Sequence, residues 1–128
     1  MKVAGLLMLS VLFAGCPDTP QTRTMTVTAT AYNSVVAQTD AQPSIAAWGD
    51  HLKPGMKAIA VSRDLLEQGL TRGVMVRIDG FSGEYKVLDK TARRFKKRID
   101  IYMGKDVRKA RQFGVKKLKI SWQVLPAG

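Results

Sequence analysis

The sequence predicts a mainly β fold: a small barrel of six short strands with two short helices. Three observations predict it. Six separate stretches alternate apolar and polar residues with the period of two that half-buried strands show. Only two short stretches carry helical start and stop residues. Residues 24–126, which hold all of these, are one domain's worth of chain and can bury one modest core, not two.

The elements follow in chain order. Met1-Lys2 is a short basic start, and residues 3–14 are almost wholly apolar, broken only by Gly5 and Ser10. That run is too short to cross a bilayer, which takes roughly 20 residues. It has the size of a signal-peptide apolar region. It ends in Leu12-Phe13-Ala14-Gly15-Cys16, small residues before a lone cysteine. This looks like a bacterial lipoprotein processing site, so residues 1–15 are read as a signal peptide and Cys16 as the lipidated first residue. The alternative is a plain secretory signal with an incidental cysteine. Cys16 is the only cysteine, so no intramolecular disulfide forms. Residues 16–23 are polar, carry Pro17 and Pro20, and read as a tether.

In the first strand, residues 24–32, Met25, Val27, Ala29 and Ala31 share the apolar face. Residues 57–62 make the second strand. Ser62 is placed to cap a helix over 63–68, which Gly69 would end. Val74, Val76 and Ile78 mark a third strand, and Gly80-Phe81-Ser82-Gly83 a turn. Residues 84–88 and 98–103 are the fourth and fifth strands. Residues 105–113 suit a helix, with Val107, Ala110 and Phe113 inward and Gly114 as its stop. Leu118, Ile120, Trp122 and Val124 alternate with polar residues in a sixth strand.

Residues 33–56 show no periodicity and carry Pro43, Gly49, Pro54 and Gly55. A loop of that length in a small domain points to function or disorder. Trp48 lies in it, suited either to stack on a sugar face or to pack back on the barrel as a lid. His51 is the only histidine. One histidine and one acylated cysteine are too few good ligands for a metal site, and no cofactor is expected. No serine or cysteine nucleophile with a histidine base is signalled.

The chain carries 21 Lys+Arg against 10 Asp+Glu, a formal net charge of +11. The excess is concentrated in residues 86–119, densest at Arg93, Arg94, Lys96, Lys97 and Arg98. Such a surface attracts an anionic partner or is simply a solvated basic face. Outside the cytoplasm the anions on offer are peptidoglycan and anionic lipid headgroups. Nucleic acid is disfavoured by the export signal and by the shortage of aromatics among the basic residues, where Phe95 stands alone.

Two aspartates eleven residues apart stand out, Asp89 and Asp100. In Arg98-Ile99-Asp100-Ile101-Tyr102 the isoleucines share one face and Arg98, Asp100 and Tyr102 the other. A carboxylate held there is rigid and points away from the core, which suits a catalytic acid and equally an ordinary surface residue.

The order of these motifs resembles the 3D domain, named for its three aspartates, which also forms the C-terminal part of the MltA-type membrane-bound lytic transglycosylases. Thr30-Ala31-Tyr32, Ile59-Ala60-Val61, the segment 65–73, Asp89, Arg98-Ile99-Asp100-Ile101-Tyr102 and Ala110 to Gly114 carry the resemblance, over most of the chain after Thr26. It implies a double-psi β-barrel and cleavage of the β-1,4 glycosidic bonds of peptidoglycan. By that resemblance Asp100 is the catalytic acid/base, Asp89 its supporting aspartate, and Thr30 and Tyr32 line the cleft. Trp48, Arg93, Lys96 and Lys97 are further candidates for holding the glycan strand. The chain departs from the family in two places. A glycine-rich loop after the first of these aspartates is replaced by Lys90-Thr91-Ala92-Arg93-Arg94-Phe95-Lys96, and the remaining aspartate position is Ser62, with Asp64 two residues on.

A lytic transglycosylase manages with one carboxyl, because the sugar's own C6 hydroxyl attacks the anomeric carbon while the acid protonates the leaving oxygen. Asp89 nearby would favour the protonated acid; pairing with Arg98 would oppose it. Two functions therefore stand side by side. One is a lipid-anchored, peptidoglycan-cleaving enzyme. The other is a non-catalytic peptidoglycan-binding lipoprotein. Either is expected as a monomer held by lipid at the periplasmic face of the envelope, at the outer membrane by the family resemblance.

Overall fold

The computed structural model describes residues 19–33 and 45–125. The signal segment, Cys16 and the tether as far as residue 18 lie outside these residues, as do residues 34–44 and 126–128. Among the described residues six strands and two short helices follow one another: β1 (Gln21–Tyr32), β2 (Ala58–Val61), α1 (Arg63–Leu66), β3 (Met75–Ile78), β4 (Tyr85–Lys90), β5 (Arg98–Tyr102), α2 (Val107–Phe113) and β6 (Lys116–Val124). The strands close into a barrel in the order β1-β5-β2-β4-β3-β6, with β6 returning to β1. Two pairings are parallel, β1 with β5 and β2 with β4; the others are antiparallel.

Alternation explains the core. Val27, Ala29, Ile59, Val61, Val76, Ile78, Val87, Ile99, Ile101, Ile120 and Trp122 point into the barrel and are almost wholly buried, joined by Leu65 and Leu70 from the α1 region. Fully burying such a side chain contributes about 1.5–3 kcal/mol, so this interior is what holds the strands in register. Trp122 also donates its indole N–H to the Gln68 carbonyl at 3.1 Å.

Four details differ from the sequence reading. β1 starts at Gln21, inside the segment read as tether, because Gln21, Thr22 and Arg23 pair with Val124, Gln123 and Trp122. Ser62 does not cap α1. Its buried hydroxyl instead accepts the Arg98 N–H at 3.0 Å, and the helix proper ends at Leu66. Tyr102 shares the outward side of β5 yet is buried, because a second, smaller apolar cluster covers it: Ala46, Leu52, Ala58 and Leu88, with Tyr32 and Met56 packed alongside. Part of the long loop, residues 46–56, thus lies over the outside of the barrel. α2 is capped by a residue that the sequence reading left inside the helix. Asp106 Oδ1 accepts the Lys109 N–H at 2.9 Å.

Candidate functional site

Four adjacent strands place one residue each in a row on the outward face of the barrel. Thr30 on β1 pairs with Asp100 on β5, Asp100 with Ala60 on β2, and Ala60 with Asp89 on β4. Directly paired residues face the same side of a sheet. Asp89 and Asp100 are therefore two strand spacings apart, about 10 Å between their backbones, with only the small Ala60 between them.

A β-bulge makes this possible. Ile59 pairs with Val87, but Ala60 pairs with Asp89, so Leu88 is an extra residue in β4. Without it, strict alternation would turn Asp89 to the core side with Val87. The bulge points both Leu88 and Asp89 outward. Leu88 joins the outer apolar cluster, and Asp89 joins the row with Asp100.

The two carboxylates have different partners. Asp100 Oδ1 accepts the Arg98 Nε–H at 3.1 Å and also the Thr30 hydroxyl, while Arg98 donates through its other nitrogen to Thr30 Oγ1 at 2.9 Å. Arg98 and Asp100 are both about four-fifths buried, at 22% and 19% side-chain exposure. The pairing that the sequence reading set against an acid/base role is made. Arg98 is braced from its other side by the Phe95 ring, 3.7 Å from its guanidinium carbon, and Arg94 lies 4.4 Å from the same ring.

Asp89 is held by neutral donors. Its Oδ1 accepts the Ala47 N–H at 2.8 Å and its own neighbour's, Lys90, at 2.9 Å; Oδ2 accepts the Tyr32 hydroxyl at 3.3 Å. Burial pushes this carboxyl above its usual range. The three hydrogen bonds pull the other way without cancelling it, and the Asp100 charge adds to the rise. Burial, then the Asp89 charge, also holds the Tyr32 phenol far above its ordinary value, so it stays a donor.

The loop closes over this end of the row. Residues 45–51 form a tight turn, with an Ile45–His51 bridge and the Ala46 N–H donating to Asp50 O at 2.8 Å. Asp50 and Arg72 tie it to the barrel through two contacts, of 2.6 and 2.8 Å. Trp48 is half-buried, packs against the barrel core, and carries Lys90 Nζ 5.0 Å from its ring centre. Of the two alternatives read for Trp48, the structure shows the packing back on the barrel, with part of the ring left in solvent.

Arg93, Arg94, Lys96 and Lys97 are exposed on the loop between β4 and β5. Lys97 adopts φ 46°, and Asp64 accepts its backbone N–H at 3.0 Å. The aspartate displaced by two residues from the family position therefore fixes the start of β5. Thr30, Tyr32, Asp89, Asp100 and Trp48 come together; Arg93, Lys96 and Lys97 lie on the exposed loop that leads into Arg98. Sequence reasoning had not placed Ala60, Phe95, Ser62, Asp64 or the Ala47 amide in the site. Phe95 carried a signal as the lone aromatic among cations, and Ser62 and Asp64 as the displaced family aspartate position. Among the described residues no three metal-binding side chains cluster.

No protein-family model matches the chain, and no curated protein sequence matches it. Solved structures do. The apo form of Clavibacter michiganensis expansin superposes with a TM-score of 0.51 at 20% identity, covering 83% of this chain and 53% of that one. An aspartate-to-asparagine variant of the same expansin in complex with cellohexaose gives a TM-score of 0.51 at 18% identity over the same shares. The chain spans about half the length of the expansins it matches. The likeness establishes the fold, a mainly β closed barrel of the double-psi kind with two short helices.

Proposed function

We propose that this chain is a non-catalytic cell-wall glycan binder, an exported lipoprotein that grips peptidoglycan strands along the row Thr30–Asp100–Ala60–Asp89. The observation that carries the reading is the closed network of Arg98, Asp100 and Thr30. A carboxylate shared by a guanidinium and a hydroxyl is a fixed hydrogen-bonding surface. It suits sugar hydroxyls and N-acetyl amides better than it suits repeated proton transfer. The Trp48 edge and the Tyr32 phenol stand beside it, and the basic loop leads into it at Arg98. The fold neighbour holds cellohexaose, a β-1,4-linked hexose chain, as the peptidoglycan glycan is. Export through residues 1–15 and lipid on Cys16 are part of the same proposal.

A second reading, lytic cleavage, is favoured by one observation: the raised, half-buried Asp89 carboxyl across Ala60 from Asp100. A carboxyl that holds its proton to higher pH than an ordinary aspartate is a step towards the acid that this chemistry needs. One experiment separates the two. The full-length chain is incubated with purified sacculi, and both the bound protein and the released muropeptides are measured. Retention without release supports the binder. Release of anhydro-muropeptides overturns it in favour of the enzyme, and absence of retention overturns both.

A further inference from the structure

We propose a second binding site, for a small apolar carboxylate, in the cleft between α2 and the β3–β4 turn. Two adjoining hollows of about 280 and 390 Å3 open there, the larger within the range of small-molecule sites, from about 300 Å3 upward. They share Phe81, Met103 and Lys109. The larger shares no residue with the row of Asp89 and Asp100.

Its floor is aromatic and prebuilt. Phe81 meets Tyr85 edge-on at 5.7 Å and Phe113 at 5.9 Å. Phe81 sits on a tight turn closed by its own N–H to the Ile78 carbonyl at 3.0 Å, with Gly80 at φ 88°. Lys57 ties the far side of that turn, donating to the Ser82 carbonyl at 2.8 Å. All three rings keep part of their surface in solvent.

The rim is cationic. Lys116 Nζ lies 4.3 Å from the Phe113 ring centre and Lys57 Nζ 5.7 Å from that of Tyr85, with Lys109 between the two hollows. Among the described residues none of the three is in an ion pair. Two acids also line the cleft. Asp106 is occupied as the α2 cap, and Asp79 stands at the edge of the larger hollow. Two ammonium groups over aromatic faces and a third between the hollows call for an anion with an apolar body: the rings take the body, and Lys109 and Lys116 take the carboxylate.

The test uses the full-length chain with methyl-labelled methionine, titrated with phenylpropionate. The Met103 resonance, assigned through Met103→Leu, should shift saturably at millimolar or lower concentration. The uncharged analogue phenylpropanol should bind about tenfold more weakly, the loss of one charge-assisted contact. A Lys109→Gln/Lys116→Gln double variant should weaken phenylpropionate by a similar factor or more and keep its sacculus retention. No saturable shift, an equal response to the alcohol, or indifference to the double variant overturns the proposal. So does a Met103 shift that tracks protein concentration without the acid, which would assign the cleft to a second copy of the chain.

Discussion

Asp89 and Asp100 carry the same group on the same face, and their surroundings separate them. Asp100 meets a guanidinium; Asp89 meets two amides and a phenol in a more apolar place. The folded-state pKa of Asp89 is raised, so its contribution favours folding fully below the ordinary aspartate value of about 4 and is lost as pH climbs through the raised value. Asp89→Asn removes that loss and keeps an oxygen for Ala47 and Lys90. Thermal unfolding followed from pH 3 to 8 should show wild type and variant converging at the acid end and the variant relatively more stable towards neutrality. A stability difference that does not change with pH would refute the buried-carboxyl account. Asp100 was legible as an outward, strand-borne carboxylate, because alternation along 98–102 needs no tertiary information. Its capture by Arg98 and Thr30 was not, since Thr30 arrives from a strand 70 residues away.

At the scale of elements, two irregularities build the site. The bulge in β4 turns Asp89 outward. The start of β5 is set by Lys97 in the left-handed region, held by Asp64, and by Ser62, which accepts the Arg98 N–H. A side chain at φ 46° is strained by about 1 kcal/mol, and a β-branched one by more. Lys97→Gly should leave stability unchanged or raise it by up to about 1 kcal/mol, the relief partly offset by the entropy of the unfolded glycine. Lys97→Val should cost about 1–2 kcal/mol. Chemical denaturation measures both, and equal stabilities for the two would remove strain as the explanation. Asp64→Ala should cost about 0.5–1.5 kcal/mol, the net worth of a solvent-accessible hydrogen bond, since water can take over as the Lys97 amide's acceptor. The strands were readable to within a few residues, because each alternates strongly. The bulge was not: Val87-Leu88-Asp89 reads as ordinary chain until β2 is laid beside it.

For the whole molecule, charge and attachment matter most. The four exposed cations of the β4–β5 loop, Arg93, Arg94, Lys96 and Lys97, flank Phe95 in the chain, and the Phe95 ring packs on Arg98, the partner of Asp100. Replacing them with glutamine lowers the net charge from +11 to +7. Retention on anionic sacculi should fall severalfold, and wild-type retention should decline as salt shortens the Debye length below its physiological value of about 8 Å. Retention indifferent to both salt and the replacement would remove the electrostatic part of the proposal. The N-terminal motif gives a separate test. Cys16→Ser should release the protein from membranes or leave it unprocessed, seen by fractionation and mass. An unchanged membrane fraction with unchanged mass would reject the lipid.

The sequence by itself determined the mainly β class, the approximate strand and helix positions, the basic balance and the outward placement of Asp100. These depend on neighbours two to four residues away or on composition, which the linear chain contains. Tertiary structure alone decided what sits between and around the aspartates. Closing the barrel laid Ala60 between Asp89 and Asp100, the β4 bulge turned Asp89 to their common face, and the loop after β1 brought the Ala47 amide onto Asp89. The same closure brought Thr30 onto Asp100, completing the network that Arg98 begins from two residues away on the same strand. Each of these depends on pairing between segments far apart in the chain, and local periodicity carries no information about which strands become neighbours.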